Sequence, residues 1–481
     1  MLDGSTAYRP VETAPGDLSI LAGTPATAAT PASPFIIRIA DSPSEFRAYH
    51  HLRRAEFVDR QGLFVGTDRD DVDDDHRARV LIATDRAGAV LGGVRVAPCT
   101  PIDIGWWAGS RLVVAAGTHC AGVGAALIRA ACAYVDNHDV LRFDATVQDR
   151  YTPLFTGLGW IDGGAGPSIN GRAHRLMGWP IGRIQAQVDA TKSVLATALT
   201  PFAEQSGGLG PSGFRGDDGV PVPHSDLIAA CDAIVPSMVE RDPEWAGWCS
   251  VLVNINDLSA MGARPVGMLD AIGAPSQAHL TRIVRGISDA AAAWRTPILG
   301  GHTQVGVPSA LSVTALGRSA APVPAGGGRP GDTVSLIADL EGSWRPGYHG
   351  RQWDSTSCRS ADQLAAMSSL VGEIAPHAAK DVSMAGLVGT LGMLAEASGT
   401  GAELDVASVP RPDAAQMGAW LTCFPGFGML VADRRPITGR RGAATAAGCG
   451  RLTDSAGVRL RWPDGRTTVA VDSTVTGLGA A

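Results

Sequence analysis

The run Cys249-Ser-Val-Leu-Val-Asn254-Ile-Asn256-Asp257-Leu-Ser-Ala-Met-Gly262-Ala-Arg-Pro265 sets three oxygen-bearing side chains in an apolar stretch that ends in a tight Gly/Pro exit. Its apolar residues predict a buried strand over 250–255 and a short helix from Asp257, closed by Gly262 and Pro265. Asn254, Asn256 and Asp257 would then meet at a strand-to-helix junction. Oxygen ligands there reach Mg2+, and backbone N–H groups face phosphate. A purely structural role for Asp257, as the helix cap, is the alternative.

Three further stretches point the same way. Gly216-Asp217-Asp218-Gly219 puts two carboxylates in a turn, Leu299-Gly300-Gly301-His302-Thr303 pairs glycines with a hydroxyl, and Lys380-Asp381-Val-Ser383 opens a helical run containing Gly386. Carboxylates neutralised by Mg2+, together with glycine loops, are what the phosphates of ATP require.

In this order the stretches resemble the AIR synthase-like superfamily, which includes selenophosphate synthetase and thiamine-monophosphate kinase. Residues 253–265 are similar to its Asn-x-x-Asp-x-x-Ala-Met-Gly-x-x-Pro element, and Gly300-Gly301-His302-Thr303 to the selenophosphate synthetase version of its glycine segment. Arg329-Pro330-Gly331-Asp332 resembles the entry to the family's second half, and Phe424-Pro-Gly426-Phe-Gly428 its late strand. Met384 and Ala385 depart from the selenophosphate synthetase pattern after Asp381, and that enzyme's reactive N-terminal loop has no counterpart. The resemblance spans roughly residues 184–481. It implies ATP and Mg2+ as cofactors, with Asp217, Asp218, Asn254 and Asp257 as metal ligands and Gly300, Gly301 and Thr303 along the phosphate path. Lys380 would balance developing charge, and Asp381 would ligate metal or relay a proton.

Composition narrows the alternatives. The chain has 481 residues and a net charge of −7, which gives no electrostatic basis for binding nucleic acid. Mean hydropathy is near zero, and no apolar run reaches membrane length. Eight cysteines without C-x-x-C spacing, and an N-terminus without a basic apolar leader, predict a cytoplasmic protein. The only two lysines are Lys192 and Lys380, so each is a candidate for chemistry that arginine, permanently charged, cannot perform.

Residues 1–34 are rich in Pro, Thr and Ala, and predict a disordered tail. Strands are expected at 35–40, 79–84, 90–97, 110–115 and 141–147, with an amphipathic helix over 44–58. Asp68 to His76 carries six aspartates in nine residues, read as a solvated loop or as a cradle for an amine or cation. His119-Cys120-Ala121-Gly122-Val123-Gly124-Ala125 opens another helix through two glycines, where backbone amides would hold a pyrophosphate. Further on, 182–204 reads as a connecting helix, 226–238 and 280–294 as helices, and 321–331 as a Gly/Pro linker.

Residues 35–183 resemble a GNAT-family N-acetyltransferase, with His119 to Ala125 as the coenzyme A loop and Leu158-Gly159-Trp160 as its closing motif. His119 replaces the loop's usual Arg or Gln. Phe155 stands where many members carry a tyrosine acid, and Tyr151 would supply the lost hydroxyl. The expected fold is α/β (α+β): a GNAT mixed sheet flanked by helices (35–183), then a two-unit AIR synthase-like region (184–320 and 321–481). The expected function is an acetyl-CoA-dependent acetyltransferase joined to an Mg-ATP-dependent activating enzyme. The pair resembles separate proteins of nitrilase-linked nitrogen-scavenging pathways, acts on small nitrogenous metabolites and pairs as a homodimer through the AIR synthase-like part. In the competing reading one half is inactive and serves sensing or assembly.

Overall fold

A computed structural model describes residues 35–117 and 121–481. The expected N-terminal tail, His119 and Cys120 lie outside the described residues. The chain is a mixed α/β protein. In order it runs β1 (Ile36–Ile39), α1 (Pro43–Arg53), β2 (Arg79–Thr84), β3 (Val90–Pro98), β4 (Trp106–Val114), α2 (Val123–Asp136), β5 (Arg142–Gln148), α3 (Thr152–Gly157), β6 (Ile161–Ala165), β7 (His174–Trp179), α4 (Arg183–Thr191) and α5 (Leu195–Ala203). Next come β8 (Val220–Pro221), β9 (Leu227–Ala233), α6 (Pro236–Arg241), α7 (Pro243–Ala260), β10 (Arg264–Ala274), α8 (Gln277–Ala293), β11 (Ile298–Val305) and β12 (Ala310–Arg318). The last part holds β13 (Thr333–Ala338), the β14 (Ser343–Trp344) and β15 (Trp353–Asp354) ribbon, α9 (Ala361–Ile374), β16 (Ala378–Asp381), α10 (Gly386–Ala397), β17 (Gly401–Asp405), α11 (Met417–Thr422), β18 (Gly428–Asp433), β19 (Gly439–Arg441), β20 (Ala444–Thr453), β21 (Val458–Arg461) and β22 (Thr467–Val471).

The chain forms two compact units, and they do not divide at residue 183. The first takes residues up to Asp74, Arg79–Arg95 and Ser110–Ala131; the second takes Asp75–Ala78, Val96–Gly109 and Cys132–Ala481. In the first unit, β1 and β2 pair antiparallel, and Tyr49 of α1 donates a 2.8 Å hydrogen bond to the Arg111 carbonyl.

The acidic run is solvated only in part, at Asp71, Asp74 and His76; the rest is tied into an ion network. Arg53, fully buried, donates Nε to Asp68 (2.6 Å) and NH2 to Asp73 (2.9 Å), while Arg95 grips Asp70 with two bonds of 2.6 and 2.9 Å. Arg111 adds a 2.9 Å bond to Asp70. Burial works to raise the Asp73 carboxyl, but Arg53 and then Arg95 hold it well below the usual carboxylate range. Asp68, Asp70 and Asp73 are thus the anionic half of an ion network whose cations come from distant parts of the chain, while Asp71 and Asp74 stay exposed.

In the second unit, β4 pairs parallel with β5 over Trp106–Gly109, and β7 lies antiparallel between β5 and β6. A five-stranded sheet follows in the order β11-β10-β12-β9-β8, with β10 and β11 parallel. A larger sheet runs β16-β18-β13-β20-β17-β21-β22, with β19 beside β20.

The expected strand over 250–255 is instead the middle of α7. This helix is buried on nearly every side, so no amphipathic period marks it. Its serines are satisfied within the helix: Ser250 donates to the Gly247 carbonyl and Ser259 to the Ile255 carbonyl. Gly247 and Gly286 let α7 and α8 touch backbone to backbone, since a Cβ at Gly286 would lie 1.9 Å from the Glu244 carbonyl oxygen.

Two other expectations change. Residues 227–233 form a strand, leaving only 236–238 of the expected helix in α6, and 182–204 divides into α4 and α5. The Gly-rich segment 321–331 packs closely, with a Cβ at Gly327 meeting the His377 carbonyl oxygen at 1.9 Å.

Candidate active site

The site collects around the turn preceding β8, the last turns of α7 and the end of β16. Gly216 has a positive φ of 64° and Gly219 packs under Ile228, so the chain folds sharply around Asp217 and Asp218. Strand β16 is the outer strand of its sheet, so its free edge is available to other partners. Asp381 uses that edge: its backbone N–H donates to Asp218 Oδ2 at 3.0 Å. Lys380 ion-pairs with Asp218 and lies 3.4 Å from Asp217 Oδ1. Asp217 also accepts the Ala325 N–H at 2.7 Å and the Asp218 N–H at 2.8 Å.

Asp257, in the final turns of α7, completes the group. One ligand oxygen each from Asp218, Asp257 and Asp381 fall within 4.8 Å of one another. Asp257 and Asp381 are both almost wholly buried. Burial, followed by the neighbouring carboxylates, pushes both carboxyls well above the ordinary range, with Lys380 opposing. Asp217 rises to about 6, first through burial, with Lys380 working against the shift and Asp218 adding to it. Burial disfavours the Lys380 ammonium, yet Asp218 and Asp217 outweigh it and hold the amine protonated.

Asp257 and Asp381, both buried, and the less buried Asp218 form an acidic cluster beside one ammonium. Such a donor set, all oxygen and closely spaced, suits a hard divalent cation. Asn254 lies one helical turn before Asp257; its Nδ2 donates to the Ser250 carbonyl at 2.8 Å, while its buried Oδ1 has no hydrogen-bond partner. That oxygen fits a further ligand. Asn256 points elsewhere and donates to the Gly426 carbonyl at 2.7 Å.

Asp217, Asp218, Asp257, Lys380 and Asp381 are therefore brought together. Asp232 of β9 joins them electrostatically, raising Asp257 and Asp381. Sequence reasoning missed Asp232 because its segment was read as a helix. Lys192, at the end of α4, also favours the ionised form of Asp381, so both lysines of the chain act on this site.

The glycine segment is placed differently. Gly300, Gly301 and Thr303 lie within β11, an exposed edge strand, opposite Leu269, Asp270 and Ile272 of β10. A Cβ at Gly301 would meet the Asp270 carbonyl oxygen and Oδ1 at 2.4 Å, so close strand packing explains this glycine without a phosphate.

In the first unit, Gly122 has a φ of 87° just before α2, whose first residues include Val123, Gly124 and Ala125; Ala121 and Gly122 are exposed. In the second, Tyr151 is exposed, with the Arg150 guanidinium over its ring at 4.7 Å. Phe155 is buried edge-on against Trp160, so the two residues occupy different environments.

Comparison with known proteins follows these boundaries. Residues 216–319 match the N-terminal domain of AIR synthase related proteins, and 354–462 the C-terminal domain. A Synechocystis protein of uncharacterised function is 35% identical over 226 residues, covering 46% of this chain and 70% of its own length. Residues 216–319 and 354–462 are thus AIR synthase related domains. Another relative in this family, a thiamine-monophosphate kinase of Methanospirillum hungatei, is 31% identical over 176 residues, 36% of this chain and 60% of the kinase. The thiamine monophosphate kinase structure from Aquifex aeolicus aligns at 19% identity and a TM-score of 0.41, covering 52% of this chain and 92% of that one, a likeness too loose to carry any argument. Both family matches lie in the second unit; the acetyltransferase resemblance has no counterpart among them.

Proposed function

We propose that the AIR synthase related part of the chain is an Mg-ATP-dependent enzyme that activates a small nitrogenous metabolite by phosphoryl transfer. The observation that carries the reading is the convergence of Asp218, Asp257 and Asp381, with Lys380 beside them. Asp218, Asp257, Asp381 and the free Asn254 oxygen would hold Mg2+, which supplies charge neutralisation for the phosphates. Lys380, kept protonated by Asp217 and Asp218, sets the charge balance of the pocket and favours an incoming anion. Asp217 positions Lys380 and ties the turn to Ala325. The thiamine-monophosphate kinases among the relatives support ATP as the phosphoryl donor. Gly300, Gly301 and Thr303 contribute to nucleotide binding in this reading only from the β11 edge.

The first 183 residues support a second activity, acetyl transfer from acetyl-CoA to an amine. The glycine-opened start of α2 favours it. The first-turn amides of α2, after Ala121 and Gly122 and including those of Val123, Gly124 and Ala125, have no intrahelical acceptor and would face the pyrophosphate. Tyr151, accessible to solvent, is the candidate proton donor. A homodimer through the five-stranded sheet fits Leu269, Leu299 and Val305, which expose apolar surface on β10 and the β11 edge. Among the described residues, no helix is long and apolar enough to cross a membrane.

The test incubates wild-type chain and Asp257→Asn with Mg-ATP and a small-metabolite extract, followed by untargeted mass analysis. A phosphorylated or condensed species formed only by wild type, with ADP release, supports the reading; identical product profiles sink it. Thermal shifts with acetyl-CoA and with Mg-ATP, measured separately, decide whether each half binds its nucleotide-bearing ligand.

A further inference from the structure

A cavity of about 850 Å3 opens in the second unit, formed without any residue of the carboxylate site. Its wall includes Trp106, Arg142 and Asp144 on β4 and β5, Gly178 and Trp179 on β7, and Asp464 just before β22. The volume suits a small organic ligand.

The charged groups of its wall are largely paired. Arg142, almost wholly buried, donates two hydrogen bonds to Asp464 at 2.9 and 2.7 Å and pairs with Asp144 Oδ2 at 2.7 Å. Arg142 thus serves two carboxylates, and Arg466, also in the wall, acts on Asp464 as well, so Asp144 has Arg142 only in part. Trp106 Nε1 also donates to Asp144 Oδ2, at 2.9 Å, while Asp144 Oδ1 accepts no bond from the described residues. Among the other lining charges, Arg183 is committed to Asp139 and to the Asp136 carbonyl.

The rest of the wall is largely apolar, and the Trp106 and Trp179 rings give it aromatic faces. Room in front of Asp144 comes from a missing side chain. Gly178 is the cross-strand partner of Asp144, and a Cβ there would stand 3.8 Å from the free Oδ1. An anionic acceptor recessed among aromatic faces is the chemistry that selects a cation on an apolar body.

We propose that this cavity binds a small aromatic amine, with its ammonium at Asp144 and its ring among Trp106 and Trp179. The site is independent of ATP use and does not require the acetyltransferase reading.

Calorimetric titration of the full chain with tryptamine tests it, with indole-3-propionate as the same ring carrying the opposite charge. The expected result is saturable one-to-one binding of tryptamine and at least tenfold weaker binding of indole-3-propionate. Gly178→Val adds side-chain volume where a Cβ makes only an ordinary contact, so it should weaken tryptamine at least tenfold with an unchanged melting temperature. Asp144→Asn should do the same through loss of charge and guards against a folding defect in the first variant. Absence of saturable tryptamine binding, equal binding of the two indoles, or undiminished binding by both folded variants would overturn the proposal.

Discussion

Replacing Asp257 with Asn separates the electrostatic account of the site from a merely structural one, because the two conditions of the assay move in opposite directions. The ligand oxygens of Asp218, Asp257 and Asp381 lie within 4.8 Å of one another, a separation at which two unit charges repel by about 3.5 kcal/mol at an effective dielectric constant of about 20. Asp257 meets two such neighbours. Protonation caps the penalty at about 5 kcal/mol at pH 7.5, the work of keeping a carboxyl of ordinary pKa about 3.9 protonated there. Lys380 offsets part of it. The neutral amide avoids the penalty with nearly the same shape, so the metal-free variant should be more stable than wild type by about 1–3 kcal/mol, or a few degrees of melting temperature. Added Mg2+ reverses the order. Wild type gains about 2.7 kcal/mol at a hundredfold excess over Kd, while the variant, short of one ligand, gains little. Thermal melts across a magnesium series read both effects. A variant that is less stable without metal and equally stabilised by Mg2+ refutes the reasoning.

Three further outcomes follow from the same geometry. Lys380→Met removes the cation shared by Asp217 and Asp218, and should cost about 3–5 kcal/mol in urea unfolding, as breaking a buried pair does. The Asp217 carboxyl, raised to about 6 in the folded chain, contributes stability that is present below its unfolded pKa and lost as pH rises to about 6. The loss is about 3 kcal/mol at about 1.36 kcal/mol per pKa unit, so wild-type stability should fall relative to Asp217→Asn between about pH 4 and 6, and parallel curves would contradict the shift. Leu299→Arg on the exposed β11 edge should halve the mass seen by light scattering if that sheet joins two copies; an unchanged mass places any dimer contact elsewhere.

Much of the site was legible because its carboxylates sit in short, dense patterns: a Gly-flanked Asp pair, a polar cluster ending a Gly/Pro-terminated run, and a Lys-Asp pair before a glycine helix. What those patterns lacked was the element carrying them. Alternating Val251, Val253 and Ile255 look like a strand, but α7 is enclosed on nearly every side, and enclosure removes the polar face that identifies a helix. The opposite error hid Asp232, whose Ala-rich segment resembles a helix and forms β9. The acidic run at 68–76 was misread in part because its partners, Arg53, Arg95 and Arg111, come together only in the fold. Gly301 looked like a phosphate loop, although its reason in the structure is contact with Asp270 across two strands.

The central claim is that Asp218, Asp257 and Asp381 jointly hold a divalent ion, and Mn2+ titration followed by electron paramagnetic resonance, with and without ATP, tests it most directly. Because their raised carboxyls must release protons, saturable binding should tighten from pH 6 to pH 8 by about tenfold per pH unit for each proton displaced, and should vanish in Asp257→Asn. Binding that is equally tight in the variant, or absent from wild type under both conditions, would contradict the account.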